Sequence, residues 1–324
     1  MPKKRLSNDY WLVICMAVAL TVPFVLTLMT VAQPRPLVVD LKANPTHLGY
    51  TWSLSLFIVP VVVLASWLSG RRQSPIQKRA FWLTTLIISV GGIMLDMFFG
   101  LSFFTFPNHD AVLGINFYGY SFVDGWHKTI PIEEAGFYIF GALAVLLVYV
   151  WGDEVWFAAY NVDDAPRQDK RYRDAISFHP ASAIFVVVIF LLGLLYKKFG
   201  AHPYTDGFPG YFLFITLVAL GPSIVFFPVA SPFINWRAFS FGALFIVFIS
   251  LFWEATIAVP YQWWGFQPRP MLGLFINGFC GLPVEEPLVW AGISWAAVII
   301  YETISTLLFI AESRRSGTAP PLIS

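Results

Sequence analysis

The chain has 324 residues, 57% hydrophobic and only 12% charged, and its 20 Lys and Arg against 19 Asp and Glu leave a net charge of +1. A soluble domain carries about 25% charged residues; this chain has too little polar surface to face water on every side, which makes it a polytopic membrane protein. Near-neutral charge leaves no electrostatic footprint for a nucleic-acid partner, and Cys15 and Cys280, without CxxC spacing, form neither a disulfide framework nor a zinc site.

A helix crosses the hydrocarbon core with about 20 apolar residues. Eight stretches meet that requirement: Tyr10–Ala32, Gly49–Ser69, Ala80–Phe104, Glu133–Trp151, Ala181–Tyr196, Tyr211–Val229, Arg237–Val259 and Glu285–Ile310. The first is too long for the apolar core of a signal peptide, and no small-residue cleavage site follows it, so it reads as a retained span. Basic residues cluster before the first span (Lys3, Lys4, Arg5) and after the second (Arg71, Arg72, Lys78, Arg79). They recur after the fourth (Arg167, Lys170, Arg171, Arg173) and the eighth (Arg314, Arg315). The positive-inside rule then puts both termini in the cytoplasm of a cell-membrane protein, with the loops at 105–132 and 260–284 on the opposite face. Lys197 and Lys198 run against this pattern, and their expected solution is to snorkel from the end of the fifth helix.

Two segments of the chain look alike. In the first, Leu95-Asp96-Met97 is followed by Val112-Leu113-Gly114-Ile115 and Pro131-Ile132-Glu133-Glu134; in the second, Trp253-Glu254-Ala255 is followed by Met271-Leu272-Gly273-Leu274 and Pro283-Val284-Glu285-Glu286. Each has a carboxylate late in one span, an apolar-Leu-Gly-apolar step in an aromatic loop, and a Pro-apolar-Glu-Glu opening to the next span. Upstream, Phe57-Ile58-Val59-Pro60 pairs with Val225-Phe226-Phe227-Pro228. The expected fold is all-α and integral to the membrane, about eight transmembrane helices in two parallel four-helix repeats. Residues 1–152 and 181–324 form the halves, 153–180 are a cytoplasmic linker, and a shared site is expected between the halves.

Proline and glutamate in a first helical turn also suit a plain helix N-terminus. One copy alone would be read that way. Two copies at matching positions, each preceded by a second acid inside a span, favour a site, because intramembrane carboxylates are costly and usually functional. Asp96 and Glu254 would cost about 2.5–3.5 kcal/mol each if charged near a helix centre. Holding some of these acids protonated lowers that cost and leaves proton donors and acceptors in an apolar chamber. Trp126, Trp253, Trp263, Trp264 and Phe266 lie near the acids in the chain, as do Phe98, Phe99, Phe103 and Phe104. Most are expected to belong to an interfacial aromatic belt; one or two would line the site, where ring faces stabilise a cation that water cannot reach.

The run Trp264-Gly265-Phe266-Gln267-Pro268, Met271-Leu272-Gly273-Leu274 and Leu282-Pro283-Val284-Glu285-Glu286 resembles the signature of the lycopene cyclase domain, the family of two-subunit bacterial and fused archaeal and fungal carotenoid cyclases. The first copy keeps Thr105-Phe106-Pro107, Val112-Leu113-Gly114-Ile115 and Pro131-Ile132-Glu133-Glu134. It lacks the loop tryptophan at the matching place and carries an insertion with Trp126, His127 and Lys128. The resemblance covers about half the chain, and its family usually has three helices per repeat where this sequence has four. It implies a hydrophobic isoprenoid substrate taken from the bilayer. An acid protonates its terminal alkene, the tertiary cation closes a six-membered ring, and a carboxylate removes a proton. No electrons are transferred, so no cofactor is implied. Glu134 and Glu286, or their neighbours Glu133 and Glu285, are the candidate acid and base. Asp96 and Glu254 are further candidates for proton transfer or for steadying the cation; Trp126, Trp253, Trp263, Trp264 and Phe266 are candidate substrate contacts.

Other features point elsewhere. Asp163-Asp164-Ala165-Pro166-Arg167-Gln168-Asp169 resembles a diphosphate-magnesium motif but sits alone in a polar loop. The five histidines make no HxxHH box for a di-iron centre, and there is neither a GxGxxG fingerprint nor a P-loop. A secondary transporter, another terpene cyclase, a carotenoid hydratase and a non-catalytic assembly partner remain as alternatives. A dry, elongated, lipid-open cavity separates a cyclase from a transporter, which needs a polar, water-accessible one.

Overall fold

The structure is a computed structural model that describes residues 47–70, 77–161, 177–201 and 207–315, together with four residues of the first predicted span, Ile14, Cys15, Val18 and Val22. Most of that first span, the acidic loop at 163–169 and the basic residues Lys3, Lys4, Arg5, Arg71, Arg72, Arg167, Lys170, Arg171 and Arg173 lie outside the described residues. Seven helices among those described are long and apolar enough to cross a membrane. We label them α1 (Gly49–Gly70), α2 (Lys78–Leu95), α3 (Ile132–Trp151), α4 (Pro180–Phe199), α5 (Gly210–Ala230), α6 (Trp236–Trp253) and α7 (Glu285–Arg315). They correspond to the second to eighth predicted spans, although α2 and α6 end at Leu95 and Trp253, before the predicted Phe104 and Val259, where wider turns continue the spans to Phe103 and Ala258.

These helices are apolar over most of their circumference, as lipid-facing helices are. Leu56, Val59, Leu86, Ile184, Phe248 and Phe252 are all exposed. Several buried hydroxyls return to the backbone one turn back, among them Thr85 to Phe81 O (2.9 Å), Thr216 to Phe212 O (2.9 Å) and Ser294 to Trp290 O (2.8 Å). In a medium without water, that internal satisfaction avoids leaving a hydroxyl unpaired.

α3 and α7 form the centre of the bundle. α1 and α2 pack on α3, α4 packs on α5, and α5 and α6 pack on α7. Three helices end in a wider π-turn: Asp96–Gly100 extends α2, Gly152–Trp156 extends α3 and Glu254–Ala258 extends α6. Such turns re-aim side chains and are frequent at functional positions. Here Asp96 and Glu254 each occupy the first position of one.

The loops between α2 and α3 and between α6 and α7 meet on one face. Strands β1 (Phe104–Thr105) and β4 (Gly265–Phe266) pair antiparallel, Gln267 N donates to Phe103 O (2.8 Å), and Asn108 Nδ2 donates to Tyr261 O (2.8 Å). The second loop holds a small pair, β5 (Phe275–Ile276) with β6 (Leu282–Pro283). The insertion in the first loop is a β-hairpin of β2 (Asn116–Ser121) and β3 (Gly125–Pro131). Gly125, at φ +86°, takes the left-handed conformation that a tight hairpin turn favours.

Lys197 does not snorkel outward. It is buried, and its Nζ donates to Arg269 O (3.0 Å) and to Met271 O, tying the end of α4 to the loop that precedes α7.

Candidate active site

The two Pro-apolar-Glu-Glu segments do the same thing twice. The first glutamate of each pair latches its loop to its helix. Glu133 Oε1 accepts from Leu113 N (2.8 Å) and Thr51 Oγ1 (2.5 Å); Glu285 Oε1 accepts from Leu272 N. The glycine after each leucine has positive φ, +75° at Gly114 and +93° at Gly273, where a side chain would be strained. The backbone then folds back, with Ile132 N donating to Ile115 O (2.8 Å) and Val284 N to Leu274 O (2.9 Å). This explains the spacing of the motif: the Leu-Gly step presents an N–H to a carboxylate in the next first helical turn.

The second glutamate of each pair turns inward and takes a tyrosine. Tyr50 Oη donates to Glu134 Oε1 (2.8 Å), and Tyr211 Oη donates to Glu286 Oε1 (2.9 Å). Both tyrosines stand in the first turn of a helix, α1 and α5. Their correspondence sets an offset of 161 residues, whereas the Phe57–Pro60 match to Val225–Pro228 implied 168. The tyrosines anchor the register of these helices, and that upstream match is out of step with them.

Glu134 and Glu286 line a single cavity of about 300 Å³, and Asp96 and Glu254 line it too. All four are buried. Away from these acids the walls are apolar, formed by residues such as Ile88, Phe137, Ile215, Val289 and Ile293. Glu286 and Ile300 both face it, so it follows α7 for about 21 Å at the rise of an α-helix.

The third acid of each set has different surroundings. Glu254 Oε1 accepts from Trp290 Nε1 (2.8 Å), and Glu254 lines the cavity together with Glu286, within electrostatic reach of it. Asp96 is within electrostatic reach of Glu134, but among the described residues neither of its oxygens has a hydrogen-bond partner. Its carboxyl folds against Gly100, where an added Cβ would stand 2.3 Å from Asp96 Oδ1. The matching position after Glu254 is Ala258.

The aromatic candidates divide. Trp264 lines the cavity. Trp253 and Trp263 do not; they pack behind it with Tyr50 and Phe137, and Trp253 Nε1 donates to Ser53 Oγ (2.6 Å). Phe266 stands one layer back, edge-on to Phe104, which does line the cavity. Trp126 is half exposed on β3, against Phe98 and Tyr120, and is not a cavity residue. Glu133 and Glu285 also fall outside the lining.

Tyr50, Tyr138, Tyr211 and Trp290 are site residues that sequence reasoning missed. Tyr138 and Trp290 are 152 residues apart, the interval that separates the glutamate pairs, so the repeat itself held the signal. A further buried acid, Glu302 of α7, accepts from Tyr149 Oη (2.5 Å) and joins α7 to α3 about four turns along the helix from Glu286.

Comparison with models of protein families, with curated proteins and with solved structures finds no match to this chain.

Proposed function

We propose that this protein is a membrane cyclase of linear isoprenoids, of the lycopene cyclase type, which closes an end-group ring by moving protons alone. The observation that carries the reading is the convergence of Asp96, Glu134, Glu254 and Glu286 on one elongated apolar cavity. Cyclisation through a carbocation requires an acid, a base and a space from which water is excluded.

In this reading Asp96 supplies the proton. Both its oxygens are buried without a donor, and a neutral acid suits that position where a carboxylate would be unsolvated. The proton adds to the terminal trisubstituted alkene and leaves a tertiary cation. The next double bond attacks it, forming the ring carbon–carbon bond and moving the cation into the ring. The carboxyls of Glu254 and Glu286 accept a ring proton, and the electrons of that C–H bond become the ring alkene. Substrate and product are isomers, and the proton returns to Asp96 before the next cycle. Ring faces of Trp264 and Trp290 stabilise the cation in the meantime.

The same reading makes residues 1–152 and 181–324 parallel halves of four spans, with the first span the counterpart of α4 and both termini cytoplasmic. The two tyrosine–glutamate bonds, the two latches and the two acid-bearing π-turns support it. The apolar wall weighs against transport of a hydrated solute.

Expression in bacteria that accumulate lycopene, followed by pigment analysis, tests the proposal. A ringed product supports it. A hydroxylated linear product would mean that water quenches the cation, and unchanged lycopene would overturn the cyclase reading for this substrate.

A further inference from the structure

Resting on the cyclase reading, we propose that the cavity has one lateral mouth, between α2 and α5, through which a long polyene presents one end from the lipid while the remainder stays in the hydrocarbon layer. The mouth lies near the middle of both spans. Ile87 and Gly91 of α2 line the cavity on one side, and Val218 and Pro222 of α5 on the other. α2 packs on α3, α5 packs on α7, and the two do not pack on each other. Ile87 is 46% exposed although it is a lining residue, so the cavity reaches the lipid-facing surface there. A Cβ added at Gly91 would meet nothing within 4 Å. Toward the outer face the gap is closed by ring contacts of Phe99 and Phe103 with Phe214, each at 5.7 Å.

The corresponding gap on the far side, between α1 and α6, is filled. There Trp253 bonds to Ser53 and meets Phe57 edge-on at 5.9 Å. α1 contributes only Tyr50 to the lining, and the turn that extends α6 only Glu254. In the repeat, Trp253 stands where the first half has Leu95. A two-fold chamber has thereby become one-sided, so that one end group is handled per binding event. Selection falls on the end group, because the rest of the chain never enters.

Gly91 provides the test. Gly91→Ala, Gly91→Leu and Gly91→Trp fill the mouth progressively, and each removes a helix-interior glycine, so the variants should accumulate at least as well as the parent. Phe245→Trp, on the exposed face of α6, is the control. Two readouts are taken in lipid nanodiscs: ring formation, and the visible circular dichroism that achiral lycopene acquires only when held in a chiral site. Gly91→Trp should lower both by about tenfold or more, Gly91→Leu by less and Gly91→Ala least, with Phe245→Trp unchanged. A well-accumulated Gly91→Trp protein that keeps the dichroic band, or equal losses in Phe245→Trp, would overturn the mouth. A parent protein that binds, with Gly91→Trp blocking the band, yet forms no ring would retain the mouth and reject the cyclase; a parent that shows neither would reject both.

Discussion

Around Glu134 and around Glu286 the same tyrosine–glutamate bond recurs, but the acid in the neighbouring π-turn does not behave alike. Glu254 is held by Trp290 and lines the cavity beside Glu286; Asp96 is one methylene shorter, has no hydrogen-bond partner among the described residues, and is accommodated by a glycine where the second copy has alanine. Two matching segments thus have different hydrogen-bonding states. A repeated site can divide acid from base when one copy loses the donors that its twin keeps, since adjacent carboxyls in different environments separate their proton affinities.

The sharpest way to break that comparison is Asp96→Asn. It keeps the shape and removes the transferable proton, so ring formation should fall by ~10²–10⁴. The oxygens of Asp96 hold nothing in place, so the variant should accumulate at the parent level, measured by quantitative membrane blotting. Near-normal ring formation in it would remove Asp96 from the mechanism. Gly100→Ala should act next most strongly, because its methyl competes with the Asp96 carboxyl. Overpacking of this kind costs about 1–3 kcal/mol, and product yield should drop while Ala258→Gly in the second copy leaves it intact. Tyr50→Phe and Tyr211→Phe each remove one hydrogen bond from a cavity glutamate. A stability loss of about 0.5–1.5 kcal/mol is expected, read as thermal melting in detergent. The smallest effect belongs to Glu133→Gln and Glu285→Gln. A glutamine oxygen still accepts from Leu113 or Leu272, so activity should stay within a few-fold, whereas Glu286→Gln should lose ~10² or more. Equal losses at Glu285 and Glu286 would contradict the separation of latch from site.

The glutamate pairs, their Leu-Gly partners and the span acids were legible because each occurs twice. Which member of a pair faces inward was not, since adjacent residues in a helix differ by 100° and both fall in the first turn. The geometry resolves this: Glu134 and Glu286 face the cavity while Glu133 and Glu285 bind backbone N–H groups. The tyrosines escaped because only the carboxyls that Tyr50 and Tyr211 meet across the bundle distinguish them. Trp126 misled for the opposite reason. It is near Glu133 in sequence, but the hairpin carries it away from the cavity to a half-exposed position.

Isotope transfer from Asp96 tests the division of roles most directly. Protein equilibrated in deuterium oxide is mixed with linear polyene for a single turnover, and product and recovered substrate are analysed by mass spectrometry. The parent should give a ring bearing one deuterium. Glu286→Gln should form little ring but return linear substrate that has exchanged, because Asp96 still protonates it reversibly; Asp96→Asn should return substrate without label. Labelled substrate from Asp96→Asn together with unlabelled substrate from Glu286→Gln would reverse the assignment of acid and base.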